Sequence, residues 1–140
     1  MTWQTAALYM LTQFAAAIAG VWLAHAMFAM PVLEVSGHLR DGPSQWLAEA
    51  VATFGLLLTI AGGVRFAPAA IPMLVGLYIT GAYWFTASTS FANPAVTGAR
   101  MLSDSFAGIA PSSAPGFIAA QLLATLAAWR FLPWLFAKTG

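Results

Sequence analysis

Ser90–Asp104 reads SFANPAVTGARMLSD, a stretch set in a chain that otherwise has the composition of a membrane protein. Asparagine is a favoured helix N-cap. Proline is favoured at the first helical position, because the N–H it lacks would have no intrahelical partner there. Asn93-Pro94 therefore starts a helix abruptly, and the sequence predicts it over 94–103. A helix of that length rises about 15 Å, half of a ~30 Å hydrocarbon core. It is too short to span and too apolar to rest in water. Two placements remain, a surface helix behind a loop or a re-entrant half-helix that dips to mid-membrane and returns, and the second fits both length and polarity. Irregular backbone at that depth is tolerated where it is buried in protein or lines a watery cavity. The preceding TASTSFA, residues 86–92, has the small and hydroxylated side chains of such a lining, and its carbonyls offer a solute a ladder of acceptors. The helix N-terminus would bring a positive dipole end to the midplane, repelling cations and protons while neutral molecules pass.

The rest of the chain sets the context. Of 140 residues 61% are hydrophobic and 6% charged, against about 25% charged in a soluble domain. That leaves too little polar surface for a globule in water, so the class is integral membrane protein in a lipid bilayer. A net charge of +1 suggests no nucleic-acid partner, and the absence of cysteine removes disulfides, thiolate metal sites and thiol nucleophiles. The start, MTWQTAALYMLTQ, lacks the basic region and cleavage pattern of a signal peptide.

Four segments are apolar enough for the ~20 residues of a spanning helix: 5–28, 45–63, 69–88 and 115–136. Between the first two, EVSGHLRDGPSQ (34–45) reads as a solvated loop. Arg65, Arg130 and Lys138 fall on one side of the four spans, and Arg40 with Glu34 and Asp41 on the other. The positive-inside rule then puts both termini in the cytoplasm, in a cell (inner) membrane. A faint repeat joins the first and last spans, because Gln13–Ala19 and Gln121–Ala127 both read Q-x-x-A-x-[IL]-A. Small residues at such spacing let helices approach closely.

Asn93-Pro94-Ala95 opening a half-helix between two spans resembles the signature of the aquaporin and aquaglyceroporin (major intrinsic protein) family. Ala48-Glu49-x-x-x-Thr53-Phe54 resembles the AExxxTF pattern that opens each half of that family, and the Gln13 and Gln121 spans resemble its third and sixth helices. The resemblance implies an all-α integral membrane fold, an aquaporin-like bundle of four full spans plus one re-entrant half-helix. On this mapping residues 1–140 are a single partial domain, the C-terminal part of a family with six spans and two NPA half-helices, and Met1 is an internal methionine.

The resemblance also implies a passive channel for small neutral solutes, without cofactor, metal or enzymatic chemistry. Asn93, Pro94 and Ala95 would line the pore, Thr89, Phe91 and Ala92 would turn loop carbonyls to it, and Glu49 would support the loop by accepting its N–H groups. Val96 stands where many members carry arginine, and the matching filter positions are Gly81 and Ser90. That set implies a wide, uncharged constriction suited to glycerol-like polyols, water, or neutral metalloid hydroxides such as arsenite, closest to a bacterial arsenic-resistance-associated branch. The family usually assembles as tetramers. The alternatives are a non-conducting fragment, or one half of a split channel that needs a separate N-terminal partner.

Other residues invite blander readings. Arg100 lies one turn beyond Val96 and either replaces the missing filter arginine nearer the outer mouth or pairs with Asp104 at i+4. His25 and His38 share no metal-ligand spacing with other side chains. Trp22, Trp46, Trp129 and Trp134 suit an interfacial aromatic belt.

Overall fold

The computed structural model describes residues 2–137; Met1 and Lys138, used above for the start and the orientation, lie outside them. The elements are α1 (Trp3–Met27), α2 (Pro43–Phe66), a 3₁₀ turn (Pro68–Ala70), α3 (Ile71–Phe85), α4 (Pro94–Arg100) and α5 (Ala114–Leu135). No strand occurs among the described residues. Four helices, with the 3₁₀ turn counted into the third, are long and apolar enough to cross a membrane. The fold is all-helical, and its apolar helices are those of an integral membrane protein.

The ends of these helices follow local chemistry. The Thr2 hydroxyl caps α1 by accepting from Thr5 N–H at 3.2 Å. Gly42 at φ 101° turns the chain into α2, and Pro43 takes the first helical position. Pro68 and Pro72 start the third span in two steps, a 3₁₀ turn and then the α-helix, which stops at Phe85 where 69–88 was expected. The second span runs over Pro43–Phe66 where 45–63 was expected, and the short helix ends at Arg100 and not at 103. Its next carbonyls are committed elsewhere: Arg100 C=O accepts from Ile109 N–H at 3.2 Å and Met101 C=O from Ser36 N–H at 2.8 Å. A helix cannot continue through carbonyls that other segments have taken.

The chain forms two compact units. In the first, Met1–Arg40 with Asn93–Pro115, helix α1 packs on α4, and Gly98 makes the approach possible, since a Cβ there would sit 2.9 Å from the Phe14 ring. The loop before α2 belongs to this unit and is not simply solvated. Arg40 is 4% exposed and donates from Nε to Gly108 C=O at 2.7 Å and from Nη2 to Phe106 C=O, while its own N–H reaches Ser113 Oγ at 3.2 Å. The sequence places Arg40 among neighbouring charges; the structure uses it to tie the 34–40 and 106–113 segments together.

The second unit, Asp41–Ala92 with Gly116–Gly140, is built on α2, α3 and α5. Helices α2 and α3 touch at Gly55, where any side chain would collide with the Tyr78 hydroxyl, and that hydroxyl donates to Ala52 C=O at 2.9 Å. Trp46 lies against Gly116 in the same way, its indole filling the space of a Cβ. Such contacts are how helices approach where lipid removes any hydrophobic drive between them.

Candidate functional site

The loop between α3 and α4 is the most unusual backbone of the molecule. Thr89, Ser90 and Ala92 have φ of 59°, 51° and 51°, in the left-handed region where a Cβ costs roughly 1–2 kcal/mol per residue. Strain of this kind persists only where its surroundings over-determine it. Here the surroundings are Glu49. This carboxylate is fully buried, accepts from Phe91 N–H at 3.1 Å and from Ala92 N–H, and takes a third bond from Gln121 Nε2 at 2.8 Å. Ser88 Oγ accepts from Ser90 N–H at 3.2 Å, and the Phe91 ring packs on Phe117 with centroids 5.1 Å apart. One anion thus holds two successive backbone donors in place, which a neutral side chain does much less well.

Beyond this loop the chain enters α4 through Asn93, whose side chain has two partners. Its Oδ1 accepts from Ala95 N–H at 2.7 Å, the N-cap bond, and its Nδ2 donates to Gln13 Oε1 on α1 at 3.2 Å. The Asn93 C=O accepts from Thr97 N–H at 2.9 Å and from Thr97 Oγ1 at 3.1 Å. The amide is therefore oriented by its own helix and by Gln13, with one amide hydrogen beyond those bonds.

Comparison with known proteins adds one match. The chain is 54% identical over 135 residues, 96% of its length, to a protein named aquaglyceroporin AqpS from Rhizobium meliloti (strain 1021). That likeness supports the aquaporin and aquaglyceroporin family. The chain spans 58% of the length of that relative. No family model matches the chain, and no solved structure does.

Within the aquaporin frame, the positions read from sequence lie in both units. Gly81 is exposed on α3, and a Cβ there would meet nothing nearer than Phe85 at 3.8 Å. Ser90 is 4% exposed, and its buried hydroxyl has no hydrogen-bond partner. Val96 is half-buried on α4 and Ala95 is buried. Glu49, Phe91 and Ala92 come together within the second unit, as do Asn93, Pro94 and Ala95 by sequence within the first. Asp104 uses its carboxylate for Gly37 N–H at 2.9 Å, and Arg100 ends α4 beside a cavity lined also by His25 and Ser103. Among the described residues no group of His, Cys, Asp and Glu is placed to hold a metal ion.

Sequence reasoning passed over two features of this site. The bond between Gln13 and Asn93 joins residues 80 apart, and nothing local announces it beyond the repeat around Gln13. The cluster of His25, Glu34, Ser103 and Ser105 was equally hidden. His25 Nε2 is 3.0 Å from Ser103 Oγ and 3.4 Å from a Glu34 oxygen, although the sequence sets these residues in different segments. A histidine near a helix end and a Ser-x-Ser in a turn were the available signals.

Proposed function

We propose that this chain builds part of a passive transmembrane channel for small neutral solutes, with both termini in the cytoplasm of a cell membrane. The observation that carries the reading is the 89–92 backbone, left-handed at Thr89, Ser90 and Ala92, braced on a buried Glu49 and running directly into an asparagine-capped α4. Strained backbone clamped by a buried anion is a costly way to make a loop, and it is useful where carbonyls must point toward something that passes.

In this reading Asn93, with Pro94 and Ala95, faces the solute in one unit, and the carbonyls of Thr89, Phe91 and Ala92 do so in the other. The filter positions are Gly81, Ser90 and Val96. Gly81 leaves room, Val96 offers no charge and no hydrogen bond, and the unpartnered Ser90 hydroxyl is a group that a solute hydroxyl would satisfy. Polyols such as glycerol, water and neutral metalloid hydroxides like arsenite share the required chemistry, being uncharged and rich in hydroxyl groups. The name aquaglyceroporin carried by the relative fits glycerol. No cofactor and no covalent step is involved, and assembly into homo-oligomers follows the family.

A second reading is favoured by α1. Its most apolar eighteen-residue window has no buried residue, and Gln13 is exposed there. A polar side chain on a lipid-facing helix is expensive, so this face would suit a separate partner segment that completes the pore. Stopped-flow light scattering on proteoliposomes of the chain, under water and glycerol gradients, separates the two. Flux blocked by Val96→Trp and Gly81→Trp supports a pore built by this chain. Inserted, helical protein with no flux above empty liposomes refutes it and makes this chain a fragment, either non-conducting or one half of a channel that a separate partner completes.

A further inference from the structure

The second unit carries an apolar groove of about 480 Å³ between the C-terminal parts of α2 and α5. We propose that this groove holds one acyl chain of an anionic phospholipid whose headgroup phosphate rests on Arg65. The proposal depends on the membrane class of the chain and not on the channel reading.

Two helix faces make the groove. Leu57, Ile60, Ala61 and Val64 follow one another at i, i+3, i+4 and i+7, one stripe of α2, and α5 adds a stripe that includes Trp129 and Phe136. Thr125 is the one polar residue of the lining, and its hydroxyl already donates to Gln121 C=O at 2.8 Å. An occupant therefore needs no polar group along this length. From Thr125 to Phe136 the groove runs about 16 Å along α5. That is the depth of one leaflet, half of a ~30 Å hydrocarbon core. On α2 it is confined to the second half of Pro43–Phe66. A partner helix is about 10–12 Å across and crosses both leaflets, so it would call for a broader and longer trough. A single acyl chain needs one leaflet and a trough one chain wide.

Charge selects the headgroup. The Phe136 ring, at the end of the groove, meets the Phe66 ring edge-on with centroids 5.8 Å apart, and the Arg65 guanidinium carbon lies 5.8 Å from the Phe66 centroid. The cation thus stands where the groove reaches the membrane surface, on an aromatic face. Arg65 is exposed, and among the described residues none gives its guanidinium a hydrogen bond or an ion pair. The acidic side chains of this unit are Asp41 and Glu49. Asp41 precedes α2, and Glu49 comes 16 residues before Arg65, about 24 Å of helix. Neither can neutralise the guanidinium. A lipid phosphate supplies the anion, in the two-oxygen geometry that a guanidinium binds best. A zwitterionic lipid brings an ammonium with its phosphate, so the anionic lipid is preferred.

Native mass spectrometry of the detergent-solubilised chain measures lipid binding without transport. Phosphatidylglycerol and phosphatidylcholine with the same acyl chains are titrated in parallel, and inorganic phosphate is added as a competitor. The expected result is a saturable first site about fivefold tighter for phosphatidylglycerol, the effect of one cationic side chain on an anionic lipid. Arg65→Gln should remove that preference and Arg65→Lys keep most of it, with helix content unchanged. Ala61→Phe, whose ring would fill the groove, should weaken both lipids. No preference in the unaltered chain, a preference that survives Arg65→Gln, or displacement of the lipid by equimolar phosphate overturns the proposal. So does lipid binding indifferent to Ala61→Phe. A dimer that Ala61→Phe dissociates would give the groove to a second copy and overturn it as well. Arg65 also lies in the last turn of α2, where a cation complements the helix dipole. If Arg65→Gln lowers the thermal midpoint equally in both lipids and leaves their binding unchanged, that is its role and the lipid site falls.

Discussion

The same seven-residue pattern opens with glutamine on α1 and on α5, yet the two glutamines have different surroundings. Gln121 is 2% exposed and donates to a buried carboxylate that also holds two backbone amides. Gln13 is exposed and accepts from the amide of Asn93. The pattern supplies small residues and one polar group; what that group does depends on which charge the fold brings to it. In the second unit the charge is Glu49, and around it a strained loop becomes rigid. In the first unit the polar group meets another amide, and the unit relies for its cohesion on Arg40 and on the 101–113 turns.

Breaking the anion itself should give the largest effect. Glu49→Ala removes the acceptor of three donors and should lower stability by about 3 kcal/mol or more, read as a large fall in the thermal midpoint of the inserted protein. The first unit offers the matched test at Arg40. Arg40→Met removes the donor from the Gly108 and Phe106 carbonyls, the first of them buried, and should cost about 2 kcal/mol. Hydrogen exchange would show whether the loss stays within residues 34–40 and 106–113.

The glutamines sharpen the comparison directly. Gln121→Ala should cost about 1 kcal/mol, within the range of side-chain bonds between membrane helices, and Gln13→Ala less than about 0.5. Equal effects would mean that burial beside Glu49 is not what separates the two helices. Smallest among these is Gly98→Ala, whose new methyl meets the movable edge of Phe14. A destabilisation below about 1 kcal/mol is expected, measured by the same thermal midpoint.

How much of this was legible in the sequence depends on the range of the forces involved. The four long helices were legible because apolar runs of that length have one cheap solution in lipid. The start of α4 was legible too, since an asparagine cap and a first-turn proline act within four residues. Its end was not. The carbonyls of Arg100 and Met101 are claimed by Ile109 and Ser36, and no local pattern announces such claims. Arg40 shows the same limit. In a loop with Glu34, His38 and Asp41 it reads as a solvated charge, while burial against carbonyls about 70 residues away is a property of the fold alone. Of the candidate site, the family motif marked Glu49 and Asn93, but the cluster of His25, Glu34, Ser103 and Ser105 was invisible because its members lie on separate segments.

The brace on Glu49 also orders the protein's birth. Glu49 leaves the ribosome 42 residues ahead of Phe91 and 72 ahead of Gln121. Helix α2 must therefore begin to enter the bilayer while its carboxylate has none of those donors, a state that insertion scales place a few kcal/mol uphill for a charge at mid-helix. Its place in the first third of α2 keeps that carboxylate within reach of headgroups and water while the later segments are made. Only when α5 arrives can Gln121 complete the set, so the left-handed loop is among the last parts of the second unit to become fixed. A variant with a slow or failing α5 would leave a charged, half-inserted α2 behind, which is the kind of intermediate that membrane quality control removes.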